Sequence, residues 1–227
     1  MRTLISIIAA LLLSTAAHAF SLDQLSNKDT AGGLKEALTQ GAGKAVDILG
    51  KNDGFLGNPK VKIHLPGNLE KAADLMRNFG MGKQVDELET SMNRAAEAAV
   101  PEAKKLLVES IRKMSVDDAK GILAGGDNAA TEYFRRTTST QLGEKFKPIV
   151  QKSIAKVKLA EKYDQFAGKA TKFGLVKEQD GHLDNYVTGK ALDGLYLMIA
   201  EEEKAIRANP VAAAGSLAKK VFGALGN

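Results

Sequence analysis

The sequence predicts an all-α fold: a single multi-helix domain packed around a buried C-terminal helix, with a minor short β element near 61–65. Three observations predict it. Residues 186–207, YVTGKALDGLYLMIAEEEKAIR, place Val187, Ala191, Leu192, Leu195, Met198, Ile199 and Ile206 within one broad arc of a helix, the pattern of a helix buried on more than one side. Residues 83–98 repeat an apolar stripe at helical spacing through Val85, Leu88, Met92, Ala95 and Ala96. Only Val61-Lys62-Ile63-His64-Leu65 alternates clearly between apolar and polar. A strand needs partners for its backbone groups. The candidates are Phe55-Leu56, Phe173 to Val176, or the same run in a second copy, which makes a homodimer through 61–65.

The chain begins with a segment that reads as a secretory signal. Arg2 supplies the basic region, Leu4 to Leu13 the apolar run, and Ala17-His18-Ala19 the cleavage site. The apolar run is shorter than the ~20 residues a membrane span needs. The expected location is the periplasm, with residues 20–227 as one helical domain whose first residues to 27 and last few are loosely ordered. Removing 19 of 227 residues leaves 208, enough for one substantial core. The chain has no cysteine, which excludes lipoprotein anchoring, disulfides, cysteine nucleophiles, thiolate zinc sites and iron–sulfur clusters. Loss of Arg2 takes the formal net charge from +5 to +4, a mild excess that implies no nucleic acid by itself.

Taken in order, Asp29 to Leu49 predicts a glycine-rich helix facing inward through Leu34, Leu38, Ala42, Ala45 and Leu49. Residues 50–59 are dense in turn formers. Asn68 can cap a helix that Gly80 ends, and the 83–98 helix follows. Pro101 opens or kinks the next, with Leu106, Leu107 and Ile111 inward. Ser115 and Asp118 resemble a capping box, with Asp in place of Glu. That short helix stops at Gly125-Gly126, and Asp127 can cap another to about Arg136. The threonine and serine run 137–140 predicts a polar joint, with helix resuming from Gln141 to Val157 and bending at Pro148. Helical character continues from Leu159 to Ala170, and a loop over 173–182 precedes the 186–207 helix. Asn209-Pro210 ends that helix, and Pro210 starts an amphipathic terminal one through Leu225.

Four stretches carry a resemblance: DGFLGNP (53–59), DELETSMNRAAEAAVPEA (86–103), MSVDDAKGILAGGDNAATEYFRRTT (114–138) and YVTGKALDGLYLMIAEEEKAIR (186–207). They resemble the bacterial exported-protein family called domain of unknown function 4197, over nearly the whole mature chain. The resemblance implies a compartment and a class, and no activity. One position departs: the family commonly has proline where this chain has His64, so the resemblance implies no shared chemistry there.

The candidate sites are few. Glu202 projects into the apolar arc of the 186–207 helix. It is either solvated beyond the core or buried and paired, and Arg135 or Arg136, flanking an inward face with Tyr133, is the partner to expect. Lys145, Lys152 and Lys156 share one stripe of a basic stretch that can meet anionic lipid. No G-x-S-x-G is present, and only His64 and His182 remain after cleavage to serve a triad. The four Gly-Lys pairs lack a phosphate loop's earlier glycine. Asp180, His182 and Asp184 lack zinc or calcium spacing, and a helix-start cap at Asp184 explains them more simply. No metal site or cofactor is expected. The leading reading is therefore a non-enzymatic envelope binding or interaction protein whose partner is anionic lipid or an envelope protein. Few aromatics interleave with the lysines, which argues against nucleic acid. The alternatives are a membrane-surface protein using 141–177 and 211–225, and a carboxylate-dependent hydrolase built on Glu202.

Overall fold

The computed structural model describes residues 26–67, 69–70, 73–74, 77–156, 160, 163–164, 181–209 and 216–223. The predicted signal, and most of the basic stretch beyond 156, lie outside the described residues. Among those described, the fold is all-α. The helices are α1 (Asn27–Leu49), α2 (Gly82–Ala99), α3 (Ala103–Lys113), α4 (Val116–Ala124), α5 (Ala129–Ile154), α6 (Leu183–Ala208) and α7 (Ser216–Gly223).

Each boundary has a local cause. Ser26 accepts from the Asp29 N–H and starts α1. Gly80, at φ 79°, closes the turn before α2. A 3₁₀ turn, Val100–Glu102, carries Pro101 between α2 and α3. The Ser115–Asp118 capping box forms as the sequence predicts, and the Ser115 hydroxyl and N–H hold the Asp118 carboxyl below the usual carboxylate range. α6 stops at Ala208, one residue before Asn209.

The inward faces read from the sequence are buried: Leu34, Leu38, Ala42, Ala45 and Leu49 on α1, Val85, Leu88, Met92, Ala95 and Ala96 on α2, Leu106, Leu107 and Ile111 on α3. On α6, Val187, Ala191, Leu195 and Ile199 are buried, while Leu192, Met198 and Ile206 are partly buried against the core. α6 packs on α5, α1 and α2, and α5 also packs on α2 and α3.

Three expectations need correction. Among the described residues no strand forms, and 61–65 takes part in no ladder. The predicted joint at 137–140 is absent, because α5 runs unbroken from Ala129 to Ile154 with Pro148 inside it. The threonines are absorbed: the Thr138 hydroxyl donates to the Phe134 carbonyl at 2.7 Å and meets the Tyr196 hydroxyl at 2.9 Å. Thr137 does the same with the Tyr133 carbonyl at 2.8 Å and the Ser110 hydroxyl at 2.7 Å. Asp127 does not cap α5 either; the N-cap residue is Asn128, and its side chain makes no capping bond.

α7 docks on α1, burying Ala218 and Val221. Gly32 and Gly33 permit the approach: a Cβ at Gly33 would sit 2.7 Å from both the Leu217 carbonyl oxygen and Val221 Cγ2. Gly33→Ala is therefore expected to cost about 1–3 kcal/mol and to open 216–223 to proteolysis first. Equal cleavage in wild type and variant would contradict this packing.

Candidate functional site

α2 carries three buried polar residues four apart, Glu89, Asn93 and Glu97. This spacing puts them on one face, above one another. Together they organise residues 53–65. The Glu97 carboxylate accepts from the Phe55 and Leu56 N–H groups at 3.0 Å each, and from Arg94 Nη1 at 2.6 Å. Arg94 also donates to Asp53 at 2.8 Å, and these two carboxylate hydrogen bonds, Glu97's the larger, raise its pKa. Asp53 sits at φ 64°, a conformation that aspartate tolerates better than most residues. Phe55 is fully buried against α6, where a Cβ on Gly194 would lie 2.6 Å from its ring.

Asn93 supplies what a neighbouring strand would. Its Oδ1 accepts from the Ile63 N–H at 2.8 Å, and its Nδ2 donates to the Ile63 carbonyl at 2.9 Å and the Glu89 carbonyl at 2.8 Å. The Tyr186 hydroxyl donates to the His64 carbonyl at 2.7 Å. The Asn58 carbonyl takes the N–H groups of Val61 and Lys62 at 3.1 and 2.9 Å. The alternation at 61–65 is thus real, with Val61, Ile63 and Leu65 buried and His64 exposed. No sheet is needed, because the Asn93 and Tyr186 side chains and the Asn58 carbonyl satisfy these backbone groups.

Glu89 is the third member. Its Oε2 lies 3.2 Å from Arg77 Nη2, and its Oε1 lies 3.7 Å from His64 Nδ1. Arg77 also meets Glu70, Asp74 and Asp86 at 3.6, 2.9 and 3.4 Å. Partial burial opposes the Arg77 charge, but the Glu89 charge and the Asp74 and Asp86 hydrogen bonds outweigh it and raise the pKa. Glu70 Oε2 and Glu89 Oε1 are buried and lack a hydrogen-bond partner.

On its outer side the 60–64 segment and α6 form a groove of ≈ 270 Å³. Lys60, Lys62, His64 and Lys190 rim it, with Tyr186 and Leu197, the latter 40% exposed, along its apolar side. Lys190 lies 5.7 Å from the Tyr186 ring centroid. Lys60 is engaged with Glu201, and Asp193 lies 3.8 Å from Arg135. Among the described residues, Lys62 and Lys190 have no carboxylate within ion-pair distance.

Outside this region, the residues singled out from sequence are scattered. Glu202 pairs with Lys44 at 2.8 Å, not with Arg135 or Arg136. Arg135 stacks 4.6 Å over the Tyr196 ring, and Arg136 lies 3.5 Å from Asp118. Burial raises the Tyr196 pKa, partly offset by the Thr138 hydrogen bond and the Arg135 charge. Tyr133 is buried and donates to the Ser110 carbonyl at 3.0 Å, and with Arg136 it lines a cleft of ≈ 420 Å³ beside α4. Lys145, Lys152 and Lys156 are exposed, as a solvated stripe would be. Asp184 bonds Gln151 at 2.7 Å rather than capping α6, whose Leu183 N–H goes to Asp164 at 2.8 Å.

The buried pair lies one residue beyond the expected one. The Glu203 carboxylate accepts from the Ala130 N–H at 3.0 Å and from the Thr131 N–H and hydroxyl at 2.9 Å each. Arg207 Nη2 donates to it at 2.8 Å and to the Ile122 carbonyl at 2.8 Å. A carboxylate from α6 therefore caps α5, taking the free donors and the positive end of the helix dipole. Sequence reasoning placed Glu202 on the buried arc and missed Glu203. The available signal was its i,i+4 partner Arg207.

A family described as a protein of unknown function, DUF4197, matches residues 24–223. The chain belongs to this family. No curated protein matches the chain, and no solved structure does. The four stretches by which the sequence resembles DUF4197 meet in space. Asp53 and Phe55 of the first are held by Arg94 and Glu97 of the second, Phe55 seats on Gly194 of the fourth, and Thr131 of the third binds Glu203 of the fourth. In this member of DUF4197 the second and fourth stretches clamp residues 53–65.

Proposed function

We propose that this protein is exported to the periplasm and acts there by binding, not by catalysis, using the groove between residues 60–64 and α6 to hold an anionic group of an envelope lipid or polymer. The observation that carries this reading is the rim of Lys62 and Lys190, which have no carboxylate partner among the described residues, over Tyr186 and exposed Leu197. A small cationic groove with an apolar side suits a headgroup better than a whole small molecule, since drug-sized pockets begin at about 300 Å³. Two further observations support it. Of the three buried glutamates among the described residues, Glu97 and Glu203 are each taken up by backbone N–H groups and arginine, and Glu89 is held on one oxygen by Arg77. Glu202 stands beside Lys44, away from either arginine. Export rests on the signal-like pattern of residues 1–19.

A second reading, attachment to an anionic membrane through Lys145, Lys152 and Lys156, is favoured by the exposure of that stripe. One experiment separates the two. Protein recovered from the periplasmic fraction, expected to begin at Phe20, is floated with phosphatidylglycerol vesicles at low and high salt. Wild type is expected to float at low salt only, and the Lys62→Glu/Lys190→Glu variant to stay behind. Loss of flotation in Lys145→Glu/Lys152→Glu alone moves the contact to the stripe. No flotation of wild type, tested also against soluble polyglutamate, removes the anionic-ligand reading.

A further inference from the structure

We propose that His64, Glu70 and Glu89 form a binding site for one divalent first-row transition ion of the zinc type. The inference goes beyond the binding reading above and does not rest on it. The three ligand atoms, one imidazole nitrogen and two carboxylate oxygens, all lie within 4.8 Å of one another. Glu89 Oε1, which faces the imidazole, and Glu70 Oε2 are both buried without a hydrogen-bond donor, and the Glu89 side chain is only 10% exposed. Buried carboxylate oxygens are ordinarily satisfied, so this pair is missing a partner.

Arg77 accounts for the other two oxygens. Its Nη1 lies 3.6 Å from Glu70 Oε1 and its Nη2 lies 3.2 Å from Glu89 Oε2. The guanidinium thus holds one oxygen of each carboxylate and leaves the other without a donor, that of Glu89 beside the imidazole. This is how outer partners orient ligating carboxylates in metal sites. Charge points the same way. Arg77 stands among the carboxylates of Glu70, Asp74, Asp86 and Glu89, so these five groups sum to −4 + 1 = −3. A dication relieves that excess without displacing Arg77.

The donor set selects the ion. One imidazole with two carboxylates suits a borderline metal, whereas magnesium and calcium favour all-oxygen shells. Zinc bonds of about 2.0–2.1 Å in a tetrahedron set ligand atoms ~3.3 Å apart, and His64 Nδ1 and Glu89 Oε1 are at 3.7 Å. The His64 and Glu70 side chains, 56% and 35% exposed, have room to close the remaining gap. The exposed side of His64 leaves a further coordination position for water.

The test is Zn²⁺ titration of the untagged mature chain by calorimetry at neutral pH, with melting temperature and the imidazole nitrogen NMR signals read in parallel. The expected result is one equivalent bound, a raised melting temperature and a shifted His64 signal. His64→Ala and Glu70→Gln are each expected to weaken binding at least tenfold while the metal-free melting temperature stays near wild type. Mg²⁺ at the same concentration should not compete. Both substitutions fall on partly exposed side chains, so a folded variant remains measurable. Absence of Zn²⁺ binding overturns the proposal, as does equal affinity in both variants, which would mean scattered surface carboxylates.

Discussion

Glu203→Ala is expected to destabilise the protein by about 3–5 kcal/mol, the cost of breaking a buried pair by removing one partner. For a domain of this size that is a fall of about 6–20 °C in melting temperature. The carboxylate is 4% exposed and serves three donors at the start of α5 besides Arg207. Its removal orphans two backbone N–H groups and leaves the guanidinium with only the Ile122 carbonyl. The neighbouring substitution Glu202→Gln supplies the contrast. Glu202, 13% exposed, meets one lysine, Lys44, whose side chain is 63% exposed; a pair with one solvated partner and no backbone donors is expected to contribute less than the Glu203 network. Thermal melts of the two variants side by side check the assignment. A larger loss at Glu202 than at Glu203 would mean that α5 is capped some other way.

Asn93→Asp is expected to cost a similar amount, about 3–5 kcal/mol, although it changes a single atom of the side chain. Asn93 is fully buried and uses both ends of its amide. A carboxylate keeps the bond from the Ile63 N–H and sets an oxygen against the Ile63 and Glu89 carbonyls. The buried group must either take a proton or stay charged without a partner, and both are costly. Hydrogen exchange at Ile63, compared between wild type and variant, checks the cause as well as the size. The Ile63 amide should lose protection together with its neighbours in 61–65 before the core of α2 does. A stability change under 1 kcal/mol would show that residues 61–65 are held chiefly by Val61, Ile63 and Leu65 packing.

These two positions mark where the sequence was legible and where it was not. The apolar stripes of α1, α2, α3 and α6 were readable because helical periodicity is a local property, and the Ser115–Asp118 box because its partners are three residues apart. The strand at 61–65 was half right. Alternation reports burial on one side, which the structure has, but it does not report what satisfies the backbone. The partner, Asn93, lies thirty residues on and in a helix. The joint at 137–140 failed for a related reason. Threonine in a helix is disfavoured until its hydroxyl finds a partner, and Tyr196 and Ser110 arrive from other helices.

The candidate site was less legible than the fold. Glu89, Asn93 and Glu97 stood in the sequence at four-residue spacing, yet a polar residue beside an apolar stripe normally faces water. His64 is exposed, as its place in the alternation predicts, but it lies in no strand, and nothing nearby in sequence announced Glu89. Glu70 is six residues from His64 but comes near it only because Arg77 gathers both carboxylates.

The sequence by itself determined an all-α class, the family, and which faces of the helices turn inward, since these follow from short-range spacing and block similarity. Only the tertiary structure decided which polar groups are buried and with whom. The sign of a carboxylate's contribution depends on the donors around it, and those donors come from distant parts of the chain. Glu202 and Glu203, adjacent in sequence, therefore end in opposite roles, one beside a solvent-facing lysine and one sealed over the start of another helix.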